Sequence, residues 1–272
     1  MPGENLTRVE ASQRSALIST NSYLVELDLT ADAKTFPYKS TVTFSCLTPG
    51  AETFIDAITD SVSSIELNGE SLDPANHSDG TRISLPNLEA ENTLVIEATG
   101  VYSNSGEGLH RFVDPVDDEV YFYTQFEVPD SRRMFAVFEQ PDLKASFEFK
   151  ITAKSGWQVI SNSTSPEPQD LGNGKSRWDF APTPRISSYI TALIAGPYAV
   201  WRDELTSSNN QVVPLGVFCR ESLAKYMDAD YIFEKTKAGF TYFEGLFDYA
   251  YPFEKYDQLW VPDFNAGAME NA

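Results

Sequence analysis

The chain has 272 residues, of which 42% are hydrophobic and 13% aromatic, and its 40 acidic against 20 basic side chains give a formal net charge of −20. This composition is typical of a folded protein, and no apolar run reaches the ~20 residues that a membrane-spanning helix needs. Nucleic acids and anionic membrane surfaces would repel so acidic a chain, so we expect neither as a partner, whereas cationic ligands would be attracted.

The start of the chain and its cysteines bear on the cellular compartment. The first residues contain no basic region followed by an apolar stretch, so we expect no secretory signal and predict a cytoplasmic location. Cys46 and Cys219 lie far apart with no neighbouring cysteine. This spacing favours buried, reduced thiols over a disulfide framework or a metal-binding knuckle.

The first two-thirds of the sequence reads as strands. Apolar residues alternate with polar ones through Tyr23 to Leu29 and again at Val42, Phe44 and Cys46, the period of a half-buried strand. Asn68 and Gly69 follow the strand-like Ser64 to Leu67 and predict a tight hairpin. Further strands are predicted at 93–98, 119–127, 145–152, 158–161, 176–180 and 189–195. Short strands separated by polar turns predict a mainly β fold, an antiparallel β-sandwich or saddle.

The pattern changes after about Trp201. A polar link at 206–211 leads into a strand-like 212–218, and apolar residues then recur every three or four positions from Ala229 to Phe247. This spacing predicts an amphipathic helix. We therefore divide the chain into a β domain at 1–202 and the beginning of an α+β domain at 203–272. The second part is too short to complete a core and should expose apolar helix surface.

The sequence offers few metal ligands. Its two histidines, His77 and His110, are far apart and neither belongs to a His-Glu-x-x-His helix. A phosphate-binding loop, a nucleophile elbow and a Cys-His pair are also missing from the sequence. We therefore predict neither a metal ligand nor a catalytic residue within these 272 positions.

Two carboxylates stand out by their surroundings. Glu127 ends an aromatic strand on which Gln125 would share its face, and Glu270 sits among small residues that allow a ligand to approach the backbone. Together they would suit an α-ammonium group, which is largely cationic near neutral pH because its pKa is about 8. From spacing alone, an ordinary exposed strand glutamate and a turn residue remain the alternative.

Two segments of the chain resemble one enzyme family. Gly267-Ala268-Met269-Glu270-Asn271 resembles the exopeptidase signature of the aminopeptidase N family of zinc metallopeptidases. Independently, Thr124-Gln125-Phe126-Glu127 and the following Asp130-Ser131-Arg132-Arg133, Phe138-Glu139-Gln140-Pro141-Asp142 and Lys144-Ala145 resemble the segment by which the family's β domain enters the active-site cleft. With the predicted domain order, the resemblance covers essentially the whole chain.

The resemblance implies a fold and a function. Residues 1–202 would form a saddle-shaped β domain, and 203–272 the incomplete start of a thermolysin-like catalytic domain. The parent protein would be a zinc aminopeptidase that removes single amino-terminal residues from peptides. Its one zinc ion would be bound by residues beyond Ala272, so this chain would be inactive without them.

The same resemblance implies how the substrate binds. Glu127 and Glu270 would hold the free amino terminus of the peptide, and Gln125 would assist them. The backbone from Gly267 through Ala268 to Met269 would pair with the substrate as an added strand, and Asn271 completes the signature. Binding of this kind orients the first peptide bond, while polarising the carbonyl group requires the metal.

Some positions depart from the family pattern. Many relatives have Pro-Cys before the aromatic residue and Asp-Glu-Pro after it, where this chain reads Ala136-Val137-Phe138-Glu139-Gln140-Pro141, and Ser131 stands where alanine is common. We assign these differences to a bacterial branch. They prevent any side-chain preference from being carried over.

Two alternatives to an enzyme remain. The first is a non-catalytic relative that acts as a protein-binding scaffold, against which the intact amine-binding signature argues. The second is a β-sandwich module that binds carbohydrate or protein through aromatic side chains. Its tryptophans at 157, 178, 201 and 260 are scattered, however, as core residues are.

Overall fold

The computed structural model describes residues 5–272 and shows a mainly β protein. The strands are β1 Ile18–Asp28, β2 Thr35–Cys46, β3 Thr53–Asp56, β4 Ser61–Leu67, β5 Glu70–Leu72, β6 Arg82–Leu85, β7 Glu91–Val101, β8 Gly108–Val113, β9 Val120–Gln125, β10 Ser146–Lys154, β11 Gln158–Ser161, β12 Gln169–Gly172, β13 Lys175–Asp179, β14 Leu193–Gly196, β15 Tyr198–Thr206, β16 Val212–Arg220 and β17 Tyr256–Trp260. The α-helices are α1 Arg8–Leu17, α2 Pro74–His77 and α3 Ala229–Phe247, and short 3-10 helices cover Ser131–Arg133, Ser188–Ile190 and Glu221–Tyr226.

The largest sheet has eight strands in the order β12-β13-β10-β1-β2-β7-β4-β5. All its neighbours are antiparallel except β1 and β10, which run in parallel. One face of the sheet carries the core, where Val25, Val42 and Leu94 are fully buried. The segment from Met134 to Phe138 is also fully buried and fills the space against this face.

A four-stranded sheet, in the order β11-β14-β9-β8, forms the second layer. Its inner strand β9 separates two clusters of buried side chains. Phe122 joins the large core, while Tyr121 and Tyr123 point the other way and pack with Tyr198 and Phe218. This alternation follows from the period of two in a strand. The predicted mainly β fold with a sandwich of antiparallel sheets is therefore confirmed.

The C-terminal region adds a third sheet, in the order β15-β16-β17. Helix α3 covers it through Ala229 and Phe233, which are buried against Leu215 and Val217. Strand β15 runs through the predicted domain boundary between residues 202 and 203, and this boundary stays a prediction. In residues 5–272, no helix is long and apolar enough to cross a membrane.

Most predicted strands and the long helix lie where expected, and two predicted strands are wrong in part. Strand β9 ends at Gln125 rather than at residue 127, because the N–H of Asp130 bonds to the Phe126 carbonyl and closes a turn. The predicted strand at 189–195 begins only at Leu193. Its first part is a 3-10 helix in which the Ser188 carbonyl accepts bonds from the N–H and the hydroxyl of Thr191.

The hairpin at Asn68 and Gly69 is confirmed. Both residues have positive φ, 54° and 83°, and they join β4 to β5. Cys46 and Cys219 are free and buried, also as predicted.

Candidate functional site

The first part of the candidate site lies where β9 ends. Gln125 faces Gly108 of β8, and the Thr124 hydroxyl accepts a 2.8 Å hydrogen bond from the N–H of Leu193, the first residue of β14. Leu193 in turn pairs with Ser161, the last residue of β11. We call this end of the four-stranded sheet, formed by Gly108, Gln125, Leu193 and Ser161, the β9 end.

Glu127 lies in the turn that follows the β9 end. The prediction that it sits on the strand is wrong, and it does not share a strand face with Gln125. The two residues are adjacent for another reason, because Gln125 Oε1 accepts a hydrogen bond from the Glu127 N–H. Gln125 is half-buried and the Glu127 side chain is exposed.

The second part of the site is the closing segment, residues 262–272. Its first half is fixed to β9 and to the loop before β8. The hydroxyl of Tyr123 donates to the Asp263 carbonyl at 3.3 Å, the Phe264 ring meets the Tyr123 ring edge-on, and Asn265 Nδ2 donates to the Ser105 carbonyl at 3.1 Å.

The last residue of the closing segment is fixed on the opposite side of the sheet. The N–H of Ala272 donates to the Ile190 carbonyl at 3.2 Å. The Ala272 carbonyl accepts from Asn162 Nδ2 at 2.6 Å, and Asn162 also bonds to the backbone of Ile190 and Ala192. Since Ile190 and Asn162 adjoin β14 and β11, this anchor also belongs to the β9 end.

The two anchors fix both ends of the stretch 266–271. One anchor lies beside β8 and the other beside β11, so the stretch between them runs from one edge of the four-stranded sheet to the other. Strands are spaced about 4.8 Å apart, so the crossing covers about 14 Å, well within the reach of the eight residues 265–272. Gly267, Ala268 and Glu270 are exposed, while Met269 and Asn271 are half-buried.

The structure thus brings both predicted regions to one end of one sheet. Gln125 ends β9 and Glu127 follows in the turn, while the signature residues 267–271 lie between the two anchors. Which groups of a ligand these residues contact stays a prediction.

His110 and Tyr123 support the closing segment. The sequence did not reveal this role of the two side chains. His110 is buried, its Nδ1 accepts the Gly106 N–H at 3.0 Å, and its ring stacks on Tyr123 with centroids 4.7 Å apart. Burial lowers the pKa of His110 and raises that of Tyr123 to about 12, so both rings are neutral near pH 7. Nothing in the spacing of these residues signals the contact, since it depends on the tertiary fold.

The described residues do not suit a zinc ion. Across residues 5–272, His, Cys, Asp and Glu side chains nowhere form a group of three placed to hold a metal. The imidazole of His110 is buried against Gly106 and Tyr123, and Nδ1 of His77 contacts Ser84.

Known proteins resemble this chain, one of them along its whole length. Residues 19–190 match the Peptidase M1 N-terminal domain and residues 231–272 the Peptidase family M1 domain. The chain is 56% identical over 275 residues to Aminopeptidase N of Streptomyces lividans, an alignment that covers 100% of this chain and 31% of that protein. It is 30% identical over 190 residues to Aminopeptidase N of Acetobacter pasteurianus, covering 66% of this chain and 50% of that one.

A third relative also matches part of the chain. Aminopeptidase Ey of Gallus gallus is 32% identical over 178 residues, which cover 64% of this chain and 18% of the relative. The chain therefore spans half or less of the length of each of these relatives. With matches to both M1 descriptions and an alignment along its whole length, this chain belongs to the aminopeptidase N family of M1 peptidases.

Proposed function

We propose that these residues form the amino-terminal part of a zinc-dependent aminopeptidase that removes single amino-terminal residues from peptides, and that they bind the substrate's free amino terminus. The observation that supports the proposal is that the closing segment is anchored on both sides of the β9 end, the strand end that carries Gln125 and leads into the turn of Glu127. In this proposal the zinc ligands and the catalytic groups come from residues beyond Ala272.

The chemistry of the β9 end suits an ammonium group. An α-ammonium group has three N–H donors, and Glu127, Glu270 and Gln125 supply three side-chain acceptors. Gln125 Oε1 already accepts the Glu127 N–H, but an amide oxygen has a second lone pair for a ligand. Bonds from a cation to a carboxylate are stronger than neutral ones, and the net charge of −20 draws cations toward the protein.

The exposed backbone of the closing segment suits the rest of a peptide. Gly267 and Ala268 have small or no side chains and are exposed, so an extended peptide can approach their N–H and C=O groups. Pairing of main chain with main chain binds a peptide with little regard to its sequence. This fits an enzyme that acts on many amino termini.

The proposal predicts a preference for unblocked peptides. We expect the chain to bind trialanine more tightly than N-acetyl-trialanine, because acetylation removes the charge that Glu127 and Glu270 attract. Glu127→Gln and Glu270→Gln should each weaken binding of trialanine about tenfold, the loss of one charge-assisted hydrogen bond. Titration followed by NMR chemical shifts measures both effects, even for weak binding.

A matched variant tests whether the effect is local. Glu66 is exposed on β4 in the eight-stranded sheet, so Glu66→Gln removes the same charge outside the site and should leave the affinity unchanged. Equal affinity of the unchanged chain for both peptides would refute amine recognition and favour the scaffold alternative. An equal loss of affinity in E66Q would show that the net negative charge of the protein, and not a local site, attracts the peptide.

A further inference from the structure

Glu139 is a buried carboxyl group with a full set of donors. It is 3% exposed, and Ser131 Oγ and the Arg132 N–H both donate to its Oε2, the latter at 2.8 Å. Ser188 Oγ donates to its Oε1 at 2.8 Å. Burial raises the pKa of Glu139, and the neighbouring Asp56 carboxylate acts in the same direction. The three donors offset part of the cost of burying the group.

The two residues that bond to Oε2 directly follow the turn that carries Glu127. Ser131 and Arg132 begin the 3-10 helix Ser131–Arg133, which directly follows the turn carrying Glu127. That turn is closed by the bond from the Asp130 N–H to the Phe126 carbonyl. Fixing Ser131 and Arg132 therefore fixes the C-terminal side of the Glu127 turn.

The residue that bonds to Oε1 belongs to the short helix that binds Ala272. Ser188 begins the 3-10 helix Ser188–Ile190, whose last carbonyl accepts the Ala272 N–H. Ser188 is itself buried, and its carbonyl accepts from Thr191. The position of this short helix therefore determines where the closing segment is anchored.

We propose that Glu139 is a positioning residue of the β9 end, whose carboxylate joins the turn that carries Glu127 to the short helix that anchors the closing segment. The inference rests on the proposed function, because it assigns Glu139 the task of holding the two halves of an amine-binding site at a fixed separation. Glu139 itself does not touch the substrate.

The choice of a carboxyl group has a geometric reason. Two hydroxyls and one N–H converge on this point, and a carboxylate accepts all three with its two oxygens. Glutamine can reproduce the arrangement. Its oxygen would accept from Ser131 and Arg132, while its NH₂ would donate to Ser188 Oγ, because a serine hydroxyl can also accept. Alanine would remove the shared acceptor of all three donors.

Asp114 offers a matched control at the opposite end of the same strands. It is also fully buried and also has three donors, Ser222 Oγ at 2.6 Å, Arg220 Nη1 at 3.0 Å and the Val116 N–H at 3.0 Å. It follows β8 directly, where the strand's last residue Val113 pairs with Val120, the first residue of β9. Asp114→Ala thus removes a comparable buried carboxylate without touching the β9 end.

The experiment compares Glu139→Ala, Glu139→Gln and Asp114→Ala in the 272-residue chain. Binding of trialanine and of N-acetyl-trialanine is measured for each variant. We expect E139A to lose about tenfold in affinity for trialanine and most of the preference over the acetylated peptide. E139Q should keep both properties, and D114A should keep the preference even if the chain is less stable.

Amide hydrogen exchange tests the link independently of any ligand. We expect E139A to exchange faster both at 131–135 and at 190–192, and D114A to do so only near 114–120 and 220–222. Ser188→Ala removes only the hydrogen bond to Oε1 of Glu139. Amide exchange should therefore become faster at 190–192 but not at 131–135. This milder variant keeps the test decisive if E139A fails to fold.

The outcomes separate the two proposals. If the unchanged chain does not prefer trialanine, the proposed function fails, while exchange still decides whether Glu139 joins the two segments. If the chain shows the preference and E139A keeps it, or if D114A loses as much of it, the positioning role is overturned. Unchanged exchange at 190–192 in both E139A and S188A would overturn it as well.

Discussion

Buried charges near the start of the chain explain how helix α1 is held. Arg14 is buried, and its Nη1 donates to Asp56 Oδ2 at 2.7 Å. Arg82 binds Glu10 at 2.6 Å, and the guanidinium groups of Arg14 and Arg82 lie 4.9 and 4.3 Å from the ring centre of Phe54. Breaking such a buried pair on one side usually costs about 3–5 kcal/mol. The helix is therefore attached to the sheets by polar contacts.

Glu10 makes this attachment sensitive to acid. A hydrogen bond from Arg82, and then bonds from the backbone and hydroxyl of Thr7, lower the pKa of Glu10 to about 2. The ionised group therefore contributes its full stabilisation above pH 4.5, the ordinary pKa of a glutamate, and loses it as the pH falls toward 2.

This gives a prediction for Glu10→Gln. The variant should lower the free energy of unfolding by about 1 kcal/mol at pH 7, because the charge toward Arg82 is lost. The difference from the unchanged chain should shrink between pH 4.5 and pH 2. Urea unfolding at several pH values measures it, with the exposed Glu66→Gln as control. A difference that is constant down to pH 2 would contradict the assignment.

At the scale of elements, two glycines have opposite roles. Gly100 of β7 pairs with Phe36 of β2, and a Cβ at this position would lie 2.6 Å from the Phe36 Cε2 atom. The Phe36 ring cannot easily move, since it is fully buried and packs on Tyr102 with centroids 4.9 Å apart. Gly239 lies in helix α3, and a Cβ there would meet no atom within 4 Å.

Replacing each glycine by alanine should therefore change stability in opposite directions. Gly100→Ala should destabilise the chain by about 1–3 kcal/mol through overpacking. Gly239→Ala should stabilise helix α3 by about 0.5–1 kcal/mol, because alanine loses less backbone entropy than glycine. Denaturant unfolding of both variants gives the values. If G100A is as stable as the unchanged chain, β7 does not pack against Phe36 as described.

The elements that sequence reasoning found are those held by apolar contacts. The alternation of apolar and polar residues around Val25 and Val42 predicts their strands, because one face of each strand is buried. Helix α1 was missed since its buried residue is Arg14, which leaves no apolar stripe to detect. Its capping box, formed by Thr7 and Glu10, was legible in the sequence.

The sequence identifies the residues of the candidate site, but it does not predict that they come together in space. The signature at 267–271 and the segment around Glu127 were identified by resemblance. Their convergence depends on contacts such as Tyr123 with Asp263 and Asn162 with Ala272, which join distant parts of the chain. No local pattern encodes those contacts. The turn at Glu127 was misread because apolar alternation continues past the point where the backbone leaves the strand.

At the scale of the whole molecule, helix α3 leaves an apolar surface exposed. Tyr242, Phe243, Leu246 and Phe247 are all more than half exposed, at 63%, 54%, 58% and 69%. The rings of Phe243 and Phe247 are nearly parallel, with centroids 6.0 Å apart. Scattered apolar side chains are normal on a protein surface, but a contiguous group of this kind favours association.

We therefore predict that the 272-residue chain associates with itself as its concentration rises. The double variant Phe243→Lys/Phe247→Lys should shift the chain toward monomer in sedimentation velocity. It also adds two positive charges to a chain of net charge −20, which weakens the mutual repulsion of the chains and so opposes dissociation. Loss of apolar surface would then be the cause of any dissociation.

A control with the same change of charge completes the test. Val116 and Leu171 are exposed in other parts of the chain, so Val116→Lys/Leu171→Lys adds the same two charges without altering helix α3. This control should associate at least as strongly as the unchanged chain. A chain that is monomeric at every concentration, or a control that dissociates equally, would show that the α3 surface does not drive association. Self-association would cover the α3 surface, and dilution would expose it again. Faster amide exchange in α3 on dilution would therefore identify that surface directly.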